Sequence, residues 1–355
     1  MLGCWILSGV VSPGKFGSAG DGVAILSVVT PVFNEQDWIE RSMQALIEAL
    51  HVAGWSAEIL VVDDGSTDRT CAKLEVLSER FPEIRVIRQS NRGRFEARRA
   101  GIHAAKGDHV LMVDSRVLVD AASISFVRKQ LVEHPERTVW NGHVTVSESG
   151  GLYGAFWSGL VAVAWRRYLA APKLTSFGED DFDLYPKGTG FFLAPRDLLT
   201  EALNSFSSLY DDARLSSDDT RLLRWIASRR RINLSPEFSA TYISRDSLKK
   251  YVKHAFFRGT TFVDGYLDAP GPARRYAGAA TLLGILGASI MRTRPRAAVA
   301  TAIAVQGSAA LAVRRSGGSS GEARAVGILL PLFVLCFGSG VVRGLSLAVR
   351  KRIRG

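Results

Sequence analysis

The chain has 355 residues, 47% of them hydrophobic and 22% charged, with a formal net charge of +11. From Arg274 onward stand 13 basic residues and one acid, Glu322, a net of +12, so residues 1–273 keep the other 32 basic and 33 acidic residues, a net of −1. A near-neutral globular part argues against nucleic acid, whose binding needs a basic face, and the length leaves room for one large domain or two.

The first eleven residues are apolar but lack a basic n-region and are too short to span a bilayer, so they are not read as a signal peptide. Residues 1–22 are taken together as a flexible leader, Gly- and Ser-rich from position 12. Residues 25–29 predict a buried strand ending at Thr30-Pro31, and 38–53 a helix that stops at Gly54. A strand over 59–62, a helix over 69–80, a strand over 84–87, a helix over 94–105 and a strand over 109–113 follow. Strands separated by single helices predict parallel βαβ units with right-handed crossovers.

After Asp120 the periodicity loosens. Residues 139–146 read as a strand, 152–169 as an apolar, aromatic helix, 187–193 as a loop leading into a strand, and 220–228 as a helix. The basic and aromatic stretch 249–265 is amphipathic if helical, which suits a helix lying in a membrane interface. Three apolar runs, 276–291, 297–313 and 325–342, contain no acid and are rich in Gly and Ala, as membrane helix contacts are. Each is short of the ~20 residues a span usually needs, and a soluble helical bundle is the rival reading. If only the last two span, they form a hairpin that puts Arg292, Arg294, Arg296 and the cluster Arg350-Lys351-Arg352 on the cytosolic side. A basic tail interleaved with apolar runs fits anionic lipid. Cys4, Cys71 and Cys336 are scattered and odd in number, which points to reduced thiols rather than a disulfide framework or a metal site.

The most informative run is Val61-Val62-Asp63-Asp64-Gly65-Ser66-Thr67-Asp68. An apolar strand ends in two adjacent carboxylates, at the sheet edge where open α/β folds bind ligands. Pure stability would not favour two repelling acids there; a capped βα turn with solvated acids is the plain alternative.

With Pro31-Val32-Phe33-Asn34-Glu35 after the first strand, Asn91-Arg92-Gly93, and an acid closing the fourth strand, this order and spacing resembles family-2 glycosyltransferases of the GT-A fold. The resemblance covers roughly residues 25–265. It implies an α/β domain with a Rossmann-like, mostly parallel central sheet, here placed at 23–245. An amphipathic interfacial segment (246–275) and a membrane region (276–355) with two to three hydrophobic helices and a basic tail would follow. It further implies inverting transfer of a sugar from a nucleotide-sugar donor.

By resemblance, Pro31, Phe33, Asn34 and Glu35 wall the nucleotide. Asp63 and Asp64 sit at its base, with Asp64 accepting from the imide N–H of uracil, which favours UDP-sugars. Gly93 admits the nucleotide closely, and Arg92 or Arg94 contacts base or diphosphate. Arg98 and Arg99 read as a solvated helix face.

Family members usually carry Asp-x-Asp after the fourth strand to hold Mg²⁺ or Mn²⁺; here it is Asp114-Ser115-Arg116. Asp114 is the remaining candidate metal ligand, and Arg116 supplies no hard oxygen. Either Asp114 and the diphosphate hold the ion with more water, or Arg116 itself offsets leaving-group charge, or the site is inactive. Ser217-Asp218-Asp219-Thr220 matches the family's downstream acid pair, which makes Asp219 the general base beside Asp218; acids favouring a helix dipole are the plain alternative. Gly188 and Gly190 resemble an acceptor loop. His254 and Arg258, at i and i+4, are acceptor-side candidates. The Gln-x-x-Arg-Trp of processive synthases is missing, which argues against a polymerising synthase.

The expectation is therefore a membrane-anchored glycosyltransferase of the inner membrane with a cytoplasmic catalytic domain. Its acceptor is a glycan or lipid-linked hydroxyl, it contacts membrane lipid, and it has no nucleic-acid partner. A non-catalytic nucleotide-sugar-binding scaffold is the alternative that Arg116 motivates.

Overall fold

The computed structural model describes residues 25–268 and 293–354. The leader and the first apolar run, 276–291, lie outside the described residues.

The first half builds as alternating strands and helices. β1 (Leu26–Val32), β2 (Ala57–Asp63), β3 (Ile84–Arg88) and β4 (His109–Val113) pair in parallel in the order β3-β2-β1-β4. β1 is buried along its whole length, as a strand covered on both faces must be. The connecting helices are α1 (Ile39–Ala53), α2 (Thr70–Arg80) and α3 (Arg94–Ala104). α1 ends on Gly54 in the left-handed conformation, whose amide satisfies the last carbonyls of the helix.

The second half of the sheet is mixed, with parallel and antiparallel pairs. β5 (Val117–Val119), α4 (Ser123–Glu133), β6 (Trp140–Val146), α5 (Gly151–Ala164) and the short α6 (Arg166–Leu169) follow in order. β7 (Thr175–Phe177), β8 (Phe191–Pro195), α7 (Arg196–Asn204), α8 (Asp218–Ala227), β9 (Ile232–Tyr242) and α9 (Leu248–Tyr266) complete the domain. β8 runs antiparallel to β4, and the sheet continues β4-β8-β6-β9-β5 with β7 beside β9. The apolar stretch predicted as one helix over 152–169 breaks at Trp165 into α5 and α6.

Two cores flank the sheet. One lies under α1 and α4 around Trp55, Trp140 and Phe238; the other lies under α3, α7 and α8 around Phe177, Phe182 and Phe192. A third cluster joins Phe156 of α5 and Tyr251 of α9 to the C-terminal helices α10 (Pro295–Arg315) and α11 (Ser320–Arg354). α10 and α11 form an antiparallel hairpin with Gly327 facing Ala310. α11, about 52 Å long at 1.5 Å per residue, is long and apolar enough to cross a membrane.

α11 does not stand clear of the domain. Glu322 near its start accepts a hydrogen bond from Ser158 of α5. At its middle, Gly259 of α9 and Gly340 pass so closely that a Cβ on either would overlap the other helix's backbone. Near its end, Lys351 Nζ donates to the carbonyls of Ser208 and Tyr210, at 2.9 and 3.2 Å.

α3 packs on β1 and β2 at Gly101, where a Cβ would stand 2.4 Å from Val29 Cγ1 and 3.2 Å from Val62 Cγ2. The expected outcome of Gly101→Val is a loss of roughly 1–3 kcal/mol from overpacking, read as a lower denaturant midpoint at unchanged slope.

Candidate functional site

The carboxyl ends of β1, β2 and β4 open on one side of a cleft of about 640 Å³, and α9 closes the other with Lys250, Lys253, His254 and Phe257. Pro31, Phe33, Asn34 and Glu35 line it from the β1 turn, Asp64 from the β2 end, Gly93 and Arg94 from the start of α3, and Asp114 and Arg116 from the β4 end. Phe33 is 43% exposed, unusual for so large an apolar ring, and offers a face to a planar base.

The first two turns are laced together. Asn34 takes a left-handed conformation, φ 54°, which is rare outside glycine. Its Oδ1 accepts from the Thr67 amide at 2.7 Å, and its own amide donates to Ser66 Oγ at 3.0 Å. Asp63 is buried and turned into its own loop, accepting from the Ser66 amide at 3.0 Å, and it does not line the cleft. Asp64 accepts from Gln89 Nε2 at 2.7 Å and from the amides of Arg92 and Gly93, both at 2.8 Å. Its carboxylate therefore shapes the 89–93 loop. Gly93 has φ +95°, and a Cβ there would meet Arg214 Cα at 2.7 Å, so the loop admits only glycine at that point.

A charge cluster, buried at Arg98 and Asp218 and open at Arg94, forms the floor. Arg98, only 2% exposed, donates Nη2 to Asp114 at 2.6 Å, donates Nη1 to Asp218, and lies 3.4 Å from Asp219. Arg94 bonds Asp218 at 2.9 Å and stands 3.6 Å from Asp219. Arg98 is thus a correction to the solvated helix face expected for it: α3 turns that position inward, toward three carboxylates, and leaves Arg99 half-exposed beside Glu96. Burial alone would raise the Asp219 carboxyl, but Arg94 and Arg98 outweigh it, and the Thr189 hydroxyl adds to them, so it is held well below the usual carboxylate range.

Arg116 lines the cleft and is held there by an ion pair. Its Nε bonds both oxygens of Glu35, at 2.8 and 2.9 Å, in a pair that is mostly buried. Burial pushes the Glu35 carboxyl up, only partly opposed by Arg116. The same pairing bears on a divalent ion. Among the described residues no group of three or more His, Cys, Asp or Glu is arranged to hold one. Asp114 gives one oxygen to Arg98, and its Oδ2 would lie 3.0 Å from a Cβ on Gly190. This donor set does not fit a hard cation held by the protein alone.

On the acceptor side, Gly190 packs against Asp114, its carbonyl accepting from the Asp114 amide at 2.8 Å, and Gly188 donates to Asn141 at 3.0 Å. Between them Thr189, which sequence reasoning passed over, donates its hydroxyl to Asp219. His254 lines the cleft with its ring 4.8 Å from Trp157. Desolvation lowers it well below the ordinary histidine value, helped by Arg258, Arg245 and Arg94, so it is neutral at pH 7. Arg258 does not line the cleft but acts on Asp219 and His254 through its charge. Arg245 was also missed; it lines the cleft, and its buried Nε has no hydrogen-bond partner.

Comparison with known proteins agrees with this architecture. Residues 27–163 match the family model described as glycosyl transferase family 2. YibD of Escherichia coli K12, an uncharacterized glycosyltransferase, is 36% identical over 91 residues, 25% of each chain. The undecaprenyl-phosphate 4-deoxy-4-formamido-L-arabinose transferase of Edwardsiella ictaluri is 38% identical over 96 residues, 26% of this chain and 29% of that one. The chain thus spans about a quarter of the length of these curated relatives. Among solved structures, the mannosyltransferase PcManGT from Pyrobaculum calidifontis, in complex with GDP-Man and Mn²⁺, superposes with a TM-score of 0.52 at 18% identity. That likeness covers 91% of this chain and 87% of the other and carries the fold alone. The sheet, its crossover helices and the family match together identify a GT-A fold, and the chain carries a glycosyl transferase family 2 domain.

Proposed function

We propose that this protein is an inverting glycosyltransferase that moves a sugar from a nucleotide-sugar, with a UDP-sugar as the leading donor, to an acceptor hydroxyl at a membrane. The observation that carries the reading is Asp219 at the head of α8, kept ionised by Arg94 and Arg98 beside the acid that closes β4. In a single displacement the acceptor oxygen bonds the anomeric carbon while the bond to the diphosphate oxygen breaks. Asp219 takes the hydroxyl proton, and the electron pair leaves with the nucleoside diphosphate. A carboxylate with so low a proton affinity accepts the proton only as the new bond forms, so transfer and attack are concerted. Positioned bases of this kind contribute ~10²–10⁴-fold.

Phe33 and the Asn34 turn would hold the base, with Asp64 setting the shape of the adjoining loop. Arg94, Arg245 and Lys253 line the cleft as cations for the diphosphate. We assign no step to a divalent ion, because the chain's own donors do not fit one. A lipid-linked acceptor is supported by α11 and by the basic wall of α9, and a relative acts on undecaprenyl-phosphate by its name. The domain limits proposed are 23–245 for the catalytic part, 246–275 for the interfacial segment and 276–355 for the membrane region at the cytoplasmic face of the inner membrane. The pairing of Arg116 with Glu35 favours one rival, a binding scaffold without turnover; release of UDP from UDP-sugars by the purified chain would exclude it.

Asp219→Asn is expected to lower transfer by at least ~10²-fold while UDP protects the variant against thermal unfolding as it does the parent; near-normal turnover would refute the role. With the Asp219 carboxyl held below its ordinary value of 3.8, the base stays ionised as pH falls, so kcat/KM should be flat from pH 7 to about 5. A downward bend near pH 6 would assign the base to another group. Turnover in EDTA should remain a substantial fraction of that with Mn²⁺, and complete, reversible loss on chelation would show a required ion.

A further inference from the structure

Asp264 is a fully buried carboxylate that the proposed chemistry does not use. It lies on α9, does not line the cleft, and gathers donors from three segments. Its Oδ1 accepts from Ser208 Oγ at 2.9 Å and the Leu209 amide at 2.6 Å. Its Oδ2 accepts from the Ser217 amide at 2.6 Å, and Arg221 Nε donates to its backbone carbonyl at 2.6 Å. Ser217 is the N-cap of α8, directly before Asp218 and Asp219. Arg221 Nε also stands 3.6 Å from Oδ1 as an ion pair; breaking the partners of a buried carboxylate costs several kcal/mol, so Asp264 and the groups that donate to it fix one another.

The same loop is gripped from the other side by the C-terminal helix. Lys351 donates to the carbonyls of Ser208 and Tyr210. The Tyr210 hydroxyl donates to Thr260 on α9 at 2.7 Å, and a Cβ on Gly344 would stand 2.6 Å from that hydroxyl. Gly265 brings α9 so near α8 that a Cβ would be 2.8 Å from Ser217 Oγ. An unbroken path therefore runs from α11 through loop 208–210 and Asp264 to the first turn of α8.

We infer that Asp264 is the positioning residue of the acid pair, holding the N-terminus of α8 and passing to it the docked state of the C-terminal helix. The inference rests on the reading of Asp219 as the base. Turning the N-cap turns the first helical turn, and with it the Asp219 carboxylate relative to Arg98 and the acceptor.

The test uses the full chain in detergent, with two readouts: nucleoside diphosphate release, and amide hydrogen exchange over residues 208–222. Asp264→Asn keeps the size but sets an amide donor against the Ser217 or Leu209 N–H. It should lower kcat by about tenfold or more, leave donor KM within about threefold and nucleotide protection unchanged, and speed exchange at 217–220. Unchanged kcat, unchanged exchange, or an equal loss of nucleotide protection would each overturn the inference. If that variant does not fold, Lys351→Met touches neither the cleft nor the acids; it should speed exchange at both 208–210 and 217–220, and unchanged exchange at 217–220 overturns it. Failure of the wild type to release any nucleoside diphosphate would remove the proposed function instead, and the exchange measurements would still decide the positioning.

Discussion

The structure turns on two arginines of α3, Arg98 buried and Arg94 at the cleft wall. Arg94 and Arg98 project from one face of α3 into three carboxylates that arrive from separate places in the chain: Asp114 from the end of β4, and Asp218 and Asp219 from the start of α8. None of these groups could be buried alone, because an unpaired charge in a low-dielectric interior costs several kcal/mol. Together they nearly neutralise one another. The cluster joins the parallel half of the sheet to the helix that leads into β9, and breaking any one pair would strand the others. The pairing also holds the Asp219 carboxyl well below the usual carboxylate range and fixes its place before any ligand arrives, which is the preorganisation that electrostatic catalysis relies on.

Much of the fold was legible in the sequence because its first half obeys short-range rules. The runs around Val28, Leu60 and Leu111 are continuous and apolar, as strands buried on both faces must be, and Gly54 stops α1 where the periodicity stops. Legibility fell after β4, where β6, β8 and β9 pair across long sequence distances and β5 and β7 are only three residues long. Strands that short carry no readable alternation, and their pairing depends on register rather than composition.

The cleft shows the same division. The residues whose spacing follows strand ends, from Pro31 to Glu35 and at Asp64 and Asp114, came to one place. Arg98 did not announce itself, because an arginine one turn into a polar helix has the composition of a surface; only the carboxylates opposite it, from Asp114 onward, make it interior. Arg116 also has a partner that composition did not show: its Nε pairs with Glu35, 81 residues earlier. Asp64 shows that one carboxylate can shape a loop and still border a binding site. In each case the missing information was the identity of a distant partner.

The manner in which α11 lies against the domain has one more consequence. Glu322, Gly340 and Lys351 contact the domain at the start, middle and end of that helix, and α9, which it presses at Gly340, is itself a wall of the cleft. An anchor joined by loose chain would let the cleft roam through a deep shell above a surface. With α11 seated in a membrane, a strapped helix would act as a gauge instead: the mouth would sit at one height, in one attitude. Acceptors would then be sorted by how far their hydroxyl stands from the lipid, a selection by length that no residue in the cleft needs to read.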